Sequence, residues 1–478
     1  MRISTIDFAI ILVYLAGITL FGIRFRQSQH SLRDYFLAGR AAPWWAIAAS
    51  LVATETSTLT IIGTPAIAYD GNLGFLQLVL GYLVARVILC VVLVPQYFQG
   101  EFYTAYQLLE KRFGVQIKRC AAIVFMITRT LAEGVRIAAI GKVVSVAFGT
   151  AQRSSIAIVA ALTILYTLEG GMRAVIWTDV VQLALYLTGS LAAFVLLLHK
   201  IPGGWPTVAR VAAVSGDKLR IFDFTGSLTE SYTFWSGILG GTFLTMASHG
   251  TDQTMVQRLL AARSERDSKK ALLASGVVIF GQFTLFLLLG VMLFVYGRHA
   301  WLPVPGGDSD RILPEFIVRE MPIGLTGFVF ASILAVAMSN ASGSLNSLAS
   351  SSMMDLGASK AARTSTQRLR RSRYLTLAWG LLLATLGLAP WGHVLEAGLT
   401  IASITYGGLL GVFLLGIWNS RANQTGALAG FLVAIISMIA VWRFTPLAFT
   451  WYVLTGTIIA FSVGSMASFL VDALPRRA

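Results

Sequence analysis

Apolar stretches long enough to cross a lipid bilayer recur along almost the whole chain, and they constrain its fold more than any other feature. A transmembrane helix needs about 20 mainly apolar residues. Hydrophobic residues make up 56% of the 478 residues and charged ones only 12%, about half the charged share of a soluble domain. We therefore expect an all-α membrane protein. Its thirteen predicted spans are 5–23, 44–69, 73–99, 120–149, 153–169, 174–199, 231–257, 271–297, 323–352, 374–392, 394–418, 425–442 and 446–471.

The net charge of +15 comes from basic residues beside the predicted spans, so it does not indicate a nucleic-acid partner. Placing the N-terminus outside puts more than twice as many Lys and Arg residues on cytoplasmic as on external segments. Under the positive-inside rule this predicts a multi-pass protein of the cell (inner) membrane with a cytoplasmic C-terminus. The bilayer is its expected surroundings, and no obligate protein partner is evident.

Polar residues interrupt the second predicted span, 44–69, where Glu55 is surrounded by hydroxyl side chains. A carboxylate deep in a membrane is costly unless it faces protein or water, so it indicates a functional position. Serine and threonine can bond backbone groups that a broken helix sets free, and Gly63 and Pro65 follow. The alternative is an ordinary packing helix, which leaves Glu55 unexplained. The hydroxyl residues are Thr54, Thr56, Ser57, Thr58 and Thr60.

The ninth predicted span, 323–352, carries Ser339, Asn340 and Ser342 within about one helical turn. Its many small residues permit close helix packing, and that alone could explain its composition. Hydroxyl and amide oxygens are also suitable ligands for a hard cation such as Na⁺. The sequence leaves both interpretations open.

The seventh span, 231–257, combines glycines with Thr245, Ser248 and His249, which favours a break or close packing. Spans 44–69 and 231–257 each open a set of five spans. That arrangement is typical of inverted-repeat transporters, whose site lies near the middle of the membrane at the interface of the repeats.

Three further ionisable residues lie within predicted spans. Glu133 and Arg136 share one helical face, so they either neutralise each other or leave Arg136 available for a substrate carboxylate. Asp179, near the start of 174–199, is either interfacial or part of an ion path.

Six segments, in order, resemble the sodium:solute symporter family. They are DYFLAGR (34–40), the Glu55 segment ending in GTPAIAY, TAYQLLEKRFG (104–114), GGMRAVIWTDVVQ (170–182), HGTDQTMVQRLLA (249–261) and the serine-rich ninth span. The resemblance implies about 13 transmembrane helices with a leucine-transporter-like core of two inverted five-helix repeats. The repeats would be 44–199 and 200–418, the latter with an extracytoplasmic loop at 200–230. The first helix and a cytoplasmic loop (1–43) would precede them, and two C-terminal helices (419–478) would follow.

The activity implied by this resemblance is secondary active transport. The coupling ion would be Na⁺, and the partner would be a small polar organic solute (an amino acid, carboxylate or sugar) taken into the cell by alternating access. Proton coupling on the same fold is the alternative, with Glu55 or Asp179 titrating. No enzyme is expected, because two scattered Cys and five His form no recognisable nucleophile or metal motif.

The resemblance also implies where the ions bind. The main Na⁺ site would use backbone carbonyls of Ala53, Thr56 and Val336 and side-chain oxygens of Ser339 and Asn340. The family usually has Ser or Thr at the last position, so Asn340 either ligates through its amide oxygen or fills the site with its bulk.

A second Na⁺ would involve Asp179, Ser339 and Ser342. Gly343 stands there where a further serine is expected.

The implied solute-binding residues lie on the first, second, third and sixth core helices. The candidates are Glu55, Ser57, Thr58, Gln77, Arg136, Thr245, Ser248 and His249.

Overall fold

The structure is a computed structural model that describes residues 3–24, 32–151, 153–157, 161, 171–299, 307–357, 365–389, 391 and 394–473. These residues form α-helices joined by short connections, and within them one isolated bridge pairs Ala42 with Ala262. The helices are α1 Thr5–Ile23, α2 Leu32–Leu37, α3 Trp44–Glu55, α4 Thr58–Asp70, α5 Phe75–Val92, α6 Val94–Tyr97, α7 Tyr106–Phe113, α8 Val115–Phe148, α9 Gly171–Lys200, α10 Gly204–Val214, α11 Gly241–Gly250, α12 Gln253–Leu260, α13 Glu265–His299, α14 Ile312–Glu320, α15 Leu325–Met354, α16 Ser365–Leu386, α17 Val394–Trp418, α18 Gln424–Phe444 and α19 Tyr452–Ala473.

The predicted count of thirteen spans is not confirmed. Among the described residues, eight helices are long and apolar enough to cross a membrane, or nine if α3 and α4 count as one bent span. Helix α8 has 34 residues but carries several charges, and α16 begins in a basic segment. Most of the predicted span 153–169 lies outside the described residues.

The predicted break in span 44–69 is confirmed, because α3 and α4 meet at an angle of 60°. Thr56 leaves the helix with extended backbone angles (φ −76°, ψ 110°). Ser57 then starts α4, and its backbone N–H donates to the Thr60 hydroxyl at 3.2 Å. The hydroxyl residues thus serve the backbone groups that the break sets free.

The predicted interruption in span 231–257 is also present. One π-helical turn, Ser236–Gly240, precedes α11, and α12 starts only after Thr251 and Asp252. The glycines serve packing: a Cβ on Gly237 would lie 2.6 Å from the backbone carbonyl carbon of Gln77. Only glycine allows α5 to approach this closely.

Helix α15 lies at the centre of the bundle, and 89% of its most apolar window is buried. It packs against α1, α8 and α9, and it also contacts α3. The broken pair α3–α4 packs against the long helix α13. The break in α3–α4 and the serine-rich stretch of α15 are therefore neighbours, as an ion site between them requires.

Candidate ion and solute site

Three backbone carbonyls from two helices converge on the side-chain amide of Asn340. Its Nδ2 atom lies 2.7 Å from the Thr56 carbonyl oxygen, 3.1 Å from that of Val336 and 3.4 Å from that of Ala53. The first two distances are ordinary N–H···O hydrogen bonds, and the third is long. The structure thus brings four of the five predicted ligands of the main Na⁺ site together, with the amide nitrogen among the carbonyls.

The carbonyls are available because the helix breaks there. In a continuous helix the Ala53 carbonyl would accept from the Ser57 N–H, but that N–H donates to Thr60. Carbonyls at a helix C-terminus carry partial negative charge. The Asn340 amide therefore satisfies oxygens that would otherwise attract a cation.

The oxygen of the same amide faces away from the three carbonyls. Asn340 Oδ1 is buried and has no hydrogen-bond partner among the described residues. Asn340 lines a cavity of about 10 Å³, together with Thr58 and the pair Glu133 and Arg136. The Thr58 hydroxyl also lacks a partner in the described part of the chain. A cavity of this volume holds about one water molecule.

The predicted second ion position is built around Asp179, which is fully buried. One of its oxygens accepts from the Ser339 hydroxyl. The other accepts from the Ser50 hydroxyl at 2.5 Å and from the Arg258 guanidinium at 3.1 Å. Arg258 is also completely buried. A protein cation therefore already pairs with this carboxylate.

Gly343 explains how the guanidinium fits. A Cβ at this position would lie 2.8 Å from Nη2 of Arg258, so the serine that the family pattern expects would crowd it. Ser342 faces its own helix and donates to the Ser339 carbonyl at 3.0 Å. Sequence analysis did not select Arg258, although it lies in the HGTDQTMVQRLLA segment.

A central cavity of about 130 Å³ lies beside the broken helix. Six of the eight predicted solute-binding residues line it: Glu55, Ser57, Arg136, Thr245, Ser248 and His249. Aromatic residues Phe75, Tyr82, Phe283 and Tyr406 contribute to its walls. It is thus mostly apolar with a few polar groups, as small-molecule sites are.

The other two candidates lie apart from this cavity. Thr58 lines the small cavity beside Asn340. Gln77 is fully buried; its amide donates to the Tyr232 carbonyl at 2.8 Å and accepts from the Asp223 N–H at 2.9 Å. It ties α5 to the segment before α11 and is absent from the cavity lining.

Glu55 is not a free charge. It forms an ion pair with Arg86, whose side chain is 1% exposed, and His249 Nε2 lies 3.4 Å from the same carboxylate oxygen. Arg86 also donates to the Tyr82 carbonyl at 3.0 Å and to the Ser275 hydroxyl at 3.3 Å. Arg86 is one of only a few cations within the predicted spans, which was the available signal for this partner.

The pair Glu133 and Arg136 is present, with 2.9 Å between Nη1 and the carboxylate. Of the two interpretations of these residues, the structure shows the intrahelical pair. Ser344 adds a hydrogen bond of 2.8 Å to Glu133. Arg136 still lines the cavity, but its charge is compensated.

Arg129 is a further residue that was not predicted from the sequence. It lies one and two turns before Glu133 and Arg136 on α8, lines the central cavity and is 6% exposed. No hydrogen bond or ion pair reaches it from the described residues, and its Nε has no partner. Nearby Asp252 is held by the Tyr406 hydroxyl at 2.8 Å and by the Thr254 N–H at 2.8 Å.

Thr56 links the ion position to a polar network on the other side. Its hydroxyl accepts from the Gln282 amide at 2.7 Å, and the Tyr186 hydroxyl lies 3.0 Å from it. Gln282 is a polar residue within the apolar helix α13, and this was the sequence signal for it.

A larger cavity of about 540 Å³ lies next to the central one, and Phe75 and Leu395 line both. It lies against the end of α4 and the segment that precedes α11. Its charged residues are mostly acidic: Asp70, Asp223, Glu230 and Asp310, with Arg220. This vestibule adjoins the central cavity on one side of the bundle.

The sequence model of the sodium:solute symporter family matches residues 35–434. These residues include both interrupted helices and α15. The chain belongs to the sodium:solute symporter family. It is a secondary transporter that couples solute movement to Na⁺, and it is not an enzyme. Its sequence is 29% identical to the sodium/sialic acid symporter of Proteus mirabilis, over 97% of this chain and 95% of the relative.

Solved structures of other transporters have the same fold as this chain. A substrate-bound, outward-open Na⁺-coupled sialic acid symporter superposes with a TM-score of 0.89 at 29% identity, covering 98% of each chain. The nucleobase-cation-symport-1 transporter Mhp1, at 14% identity, shares the fold with a TM-score of 0.63 over 91% of this chain and 94% of that one. The symporter is a multi-pass membrane protein with a leucine-transporter-like core, as predicted. The repeat boundaries at 44–199 and 200–418 stay a prediction.

Proposed function

We propose that the solute carries a carboxylate group and that Arg129 binds it in the central cavity. The observation that carries this proposal is a buried guanidinium beside an aromatic-walled cavity, unpaired among the described residues. The charge of nearby Asp252 attracts Arg129, but no hydrogen-bond acceptor reaches its guanidinium from the described residues. Leaving a buried donor unsatisfied costs about 1–3 kcal/mol, and a bound carboxylate would remove that cost. A guanidinium can also hold a carboxylate through two parallel hydrogen bonds.

The other cations of the cavity are poorer candidates. Arg136 is paired with Glu133, and Arg86 with Glu55. Of the two alternatives for Arg136, we therefore favour the pair with Glu133 over the solute carboxylate. Ser57, Thr245 and Ser248 line the same cavity and would bind hydroxyl or amine groups elsewhere on the solute.

The charges of the vestibule help to predict the other groups of the solute. Its acidic side chains raise the local concentration of cations, which favours the entry of Na⁺. They also favour a carboxylate whose charge is balanced by a cationic group over a bare anion. Zwitterionic amino acids and simple carboxylates are therefore the two classes to compare.

For the ion, we propose one Na⁺ at the carbonyls of Ala53, Thr56 and Val336, close to Ser339. Support comes from the convergence of two carbonyls at the break between α3 and α4 with the Val336 carbonyl of α15. Arg258 supplies the positive charge beside Asp179, so no second ion is needed there.

We also propose the orientation that the basic residues favour, with the N-terminus outside, the C-terminus in the cytoplasm and the protein in the cell (inner) membrane. In this orientation the vestibule opens to the outside, because the segment 216–232 that borders it lies on the external face. Solute and Na⁺ would then enter together from the outside. Its expected partners are the solute and the lipid bilayer, with neither nucleic acid nor an obligate protein.

The test is uptake into proteoliposomes with and without an inward Na⁺ gradient, comparing amino acids, monocarboxylates and neutral sugars. We expect Na⁺-stimulated uptake of a carboxylate-bearing solute, and Arg129→Gln should raise its half-saturating concentration at least about tenfold, as the loss of a charged hydrogen bond implies. Arg210→Gln, on the exposed surface of α10, is the matched control. Na⁺-driven uptake of a neutral sugar that Arg129→Gln leaves unchanged would contradict the proposal.

A further inference from the structure

The position between the three carbonyls is taken by a group of the protein itself. The Asn340 Nδ2 atom lies 2.7 to 3.4 Å from the oxygens of Thr56, Val336 and Ala53. These are the same oxygens that would ligate Na⁺. We infer that the Asn340 amide is a built-in substitute for the coupling ion, so that Na⁺ binds at this site only by displacing it.

The surroundings fix which end of the amide faces the carbonyls. A flipped amide would place its oxygen against three other oxygens, two of them within about 3.1 Å. It would also turn the NH₂ group towards the cavity that Arg136 lines. In the observed orientation the NH₂ group donates to the carbonyls, and Oδ1 faces a water-sized cavity. Because a flipped oxygen would face the carbonyl oxygens at these distances, the carbonyls themselves fix the orientation of the amide.

Size explains why asparagine can do this and serine cannot. The amide nitrogen lies one bond farther from the backbone than a serine oxygen does. It therefore reaches between the carbonyls, whereas a serine hydroxyl would stop at the edge and leave the position open for an ion. The amide N–H groups carry partial positive charge, which suits the negative C-terminal end of α3. They add no net charge, so they replace the contacts of the ion without its full electrostatic attraction.

Two consequences follow for the transport cycle. Na⁺ must compete with hydrogen bonds that already satisfy its ligands, so the site binds Na⁺ weakly. The amide also holds the break in α3–α4 against α15 when no ion is present. The solute cavity beside that break therefore needs less help from Na⁺ to keep its shape.

This inference rests on the proposed position of the ion, but it does not depend on the proposed solute. The test accordingly uses Na⁺ alone, on the purified full-length protein in detergent. The thermal unfolding midpoint is measured across a NaCl series in which choline chloride keeps the ionic strength constant. A ligand at concentration c that binds only the folded state stabilises it by RT ln(1 + c/Kd), so the rise of this midpoint with NaCl gives the Kd for Na⁺, called the half-effective concentration below.

The decisive variant is Asn340→Ser, and Asn346→Ser is its control. Asn346 is buried on the same helix, and its Nδ2 has no partner among the described residues, so the same chemical change there leaves the carbonyls untouched. In choline we expect Asn340→Ser to melt below the parent. In NaCl it should recover, and its half-effective Na⁺ concentration should be at least about tenfold lower than that of the parent, a factor worth 1.4 kcal/mol. Asn346→Ser should respond to Na⁺ as the parent does.

Equal half-effective concentrations in the parent and Asn340→Ser, or weaker binding in the variant, would overturn the inference. If Asn340→Ser does not fold, Asn340→Thr tests the same point. The parent provides an independent check, since a midpoint that already rises in low-millimolar Na⁺ would mean tight binding and would refute displacement. Failure of carboxylate uptake would refute only the proposed solute, because no solute is present in these melts.

Discussion

The buried polar interior has an ion side, around Asn340 and Asp179, and a solute side, around the central cavity. The two sides differ in how their polar and charged groups are compensated. On the ion side, Asp179 is paired with Arg258 and with two hydroxyls, and the carbonyls of Ala53, Thr56 and Val336 accept from Asn340. On the solute side, Arg129 has no partner among the described residues. The protein thus completes its own ion side and leaves the solute side to be completed by a ligand. Removing Arg258 should therefore lower stability far more than removing Arg129.

The largest expected effect is at Arg258. The variant Arg258→Met leaves Asp179 buried without its cation, which costs about 3–5 kcal/mol in comparable buried pairs. We expect a large drop in the thermal unfolding midpoint or no folded protein.

The matched double variant Arg258→Met/Asp179→Asn removes both charges and should recover much of the loss. Melting of Arg258→Met in NaCl and in choline chloride sharpens the comparison. Recovery in Na⁺ would show that an ion can occupy the place of the guanidinium, as the second ion position predicted from sequence requires. A stability unchanged from the parent would contradict the role of this pair.

The next largest effect is expected at Glu55. This residue lines the central cavity, but its charge is paired with Arg86, as the charge of Asp179 is paired with Arg258. Glu55→Gln keeps an acceptor for Arg86 but removes the charge, so it should cost about 2 kcal/mol, the range of a charged hydrogen bond. We expect a lower unfolding midpoint with and without solute.

The double variant Glu55→Gln/Arg86→Gln shows whether the loss comes from the pair, because the two single losses should then not add. Additive losses, or a loss of solute affinity without any loss of stability, would assign Glu55 to solute binding instead.

Removal of Arg129 should have a smaller effect. Arg129→Gln eliminates a buried guanidinium that forms no hydrogen bond or ion pair with the described residues but is attracted by Asp252, so stability without solute should change by no more than about 1 kcal/mol. Unfolding midpoints of the parent and the variant, both measured without solute, check this. A destabilisation as large as that of Arg258→Met would mean that Arg129 is part of the scaffold.

The sequence predicted which segments meet but not which side chains pair. Both helix breaks, and the six predicted solute-binding residues that line the central cavity, follow from polar residues placed in apolar spans. Span 44–69 reveals its break because hydroxyl residues must bond the freed backbone groups.

The pairings were less accessible from sequence. Arg86 and Glu55 are 31 residues apart, and Arg258 and Asp179 are 79 apart, so only the packing of different helices brings them together. A different ambiguity applies to Arg129 and Arg136, which lie on the same helix. Both lie on one face of α8, and sequence alone could not show which of the two Glu133 neutralises.

The smallest expected effect concerns Asp355, just beyond the end of α15, which like Arg129 is buried with an unsatisfied group. Its carboxyl accepts from the Thr104 hydroxyl at 2.8 Å, while Oδ2 has no partner among the described residues. Burial raises the pKa of Asp355 from 3.8 to about 7. Between these two values the folded protein keeps a proton that the unfolded chain releases, so stability falls as pH rises through the window and levels off above it.

Between pH 6 and pH 8 this group should cost the folded state about 1 kcal/mol. Asp355→Asn keeps the acceptor for Thr104 but cannot ionise, so its unfolding midpoint should change less over this range than that of the parent. Asp179→Asn is unsuitable as a control, because it breaks the pair with Arg258. Asp217→Asn, which alters a carboxylate in the exposed turn after α10, should retain the pH dependence of the parent. If Asp355→Asn retains it as well, the carboxyl is ionised in the folded protein at neutral pH, and a cation must compensate it as Arg258 compensates Asp179.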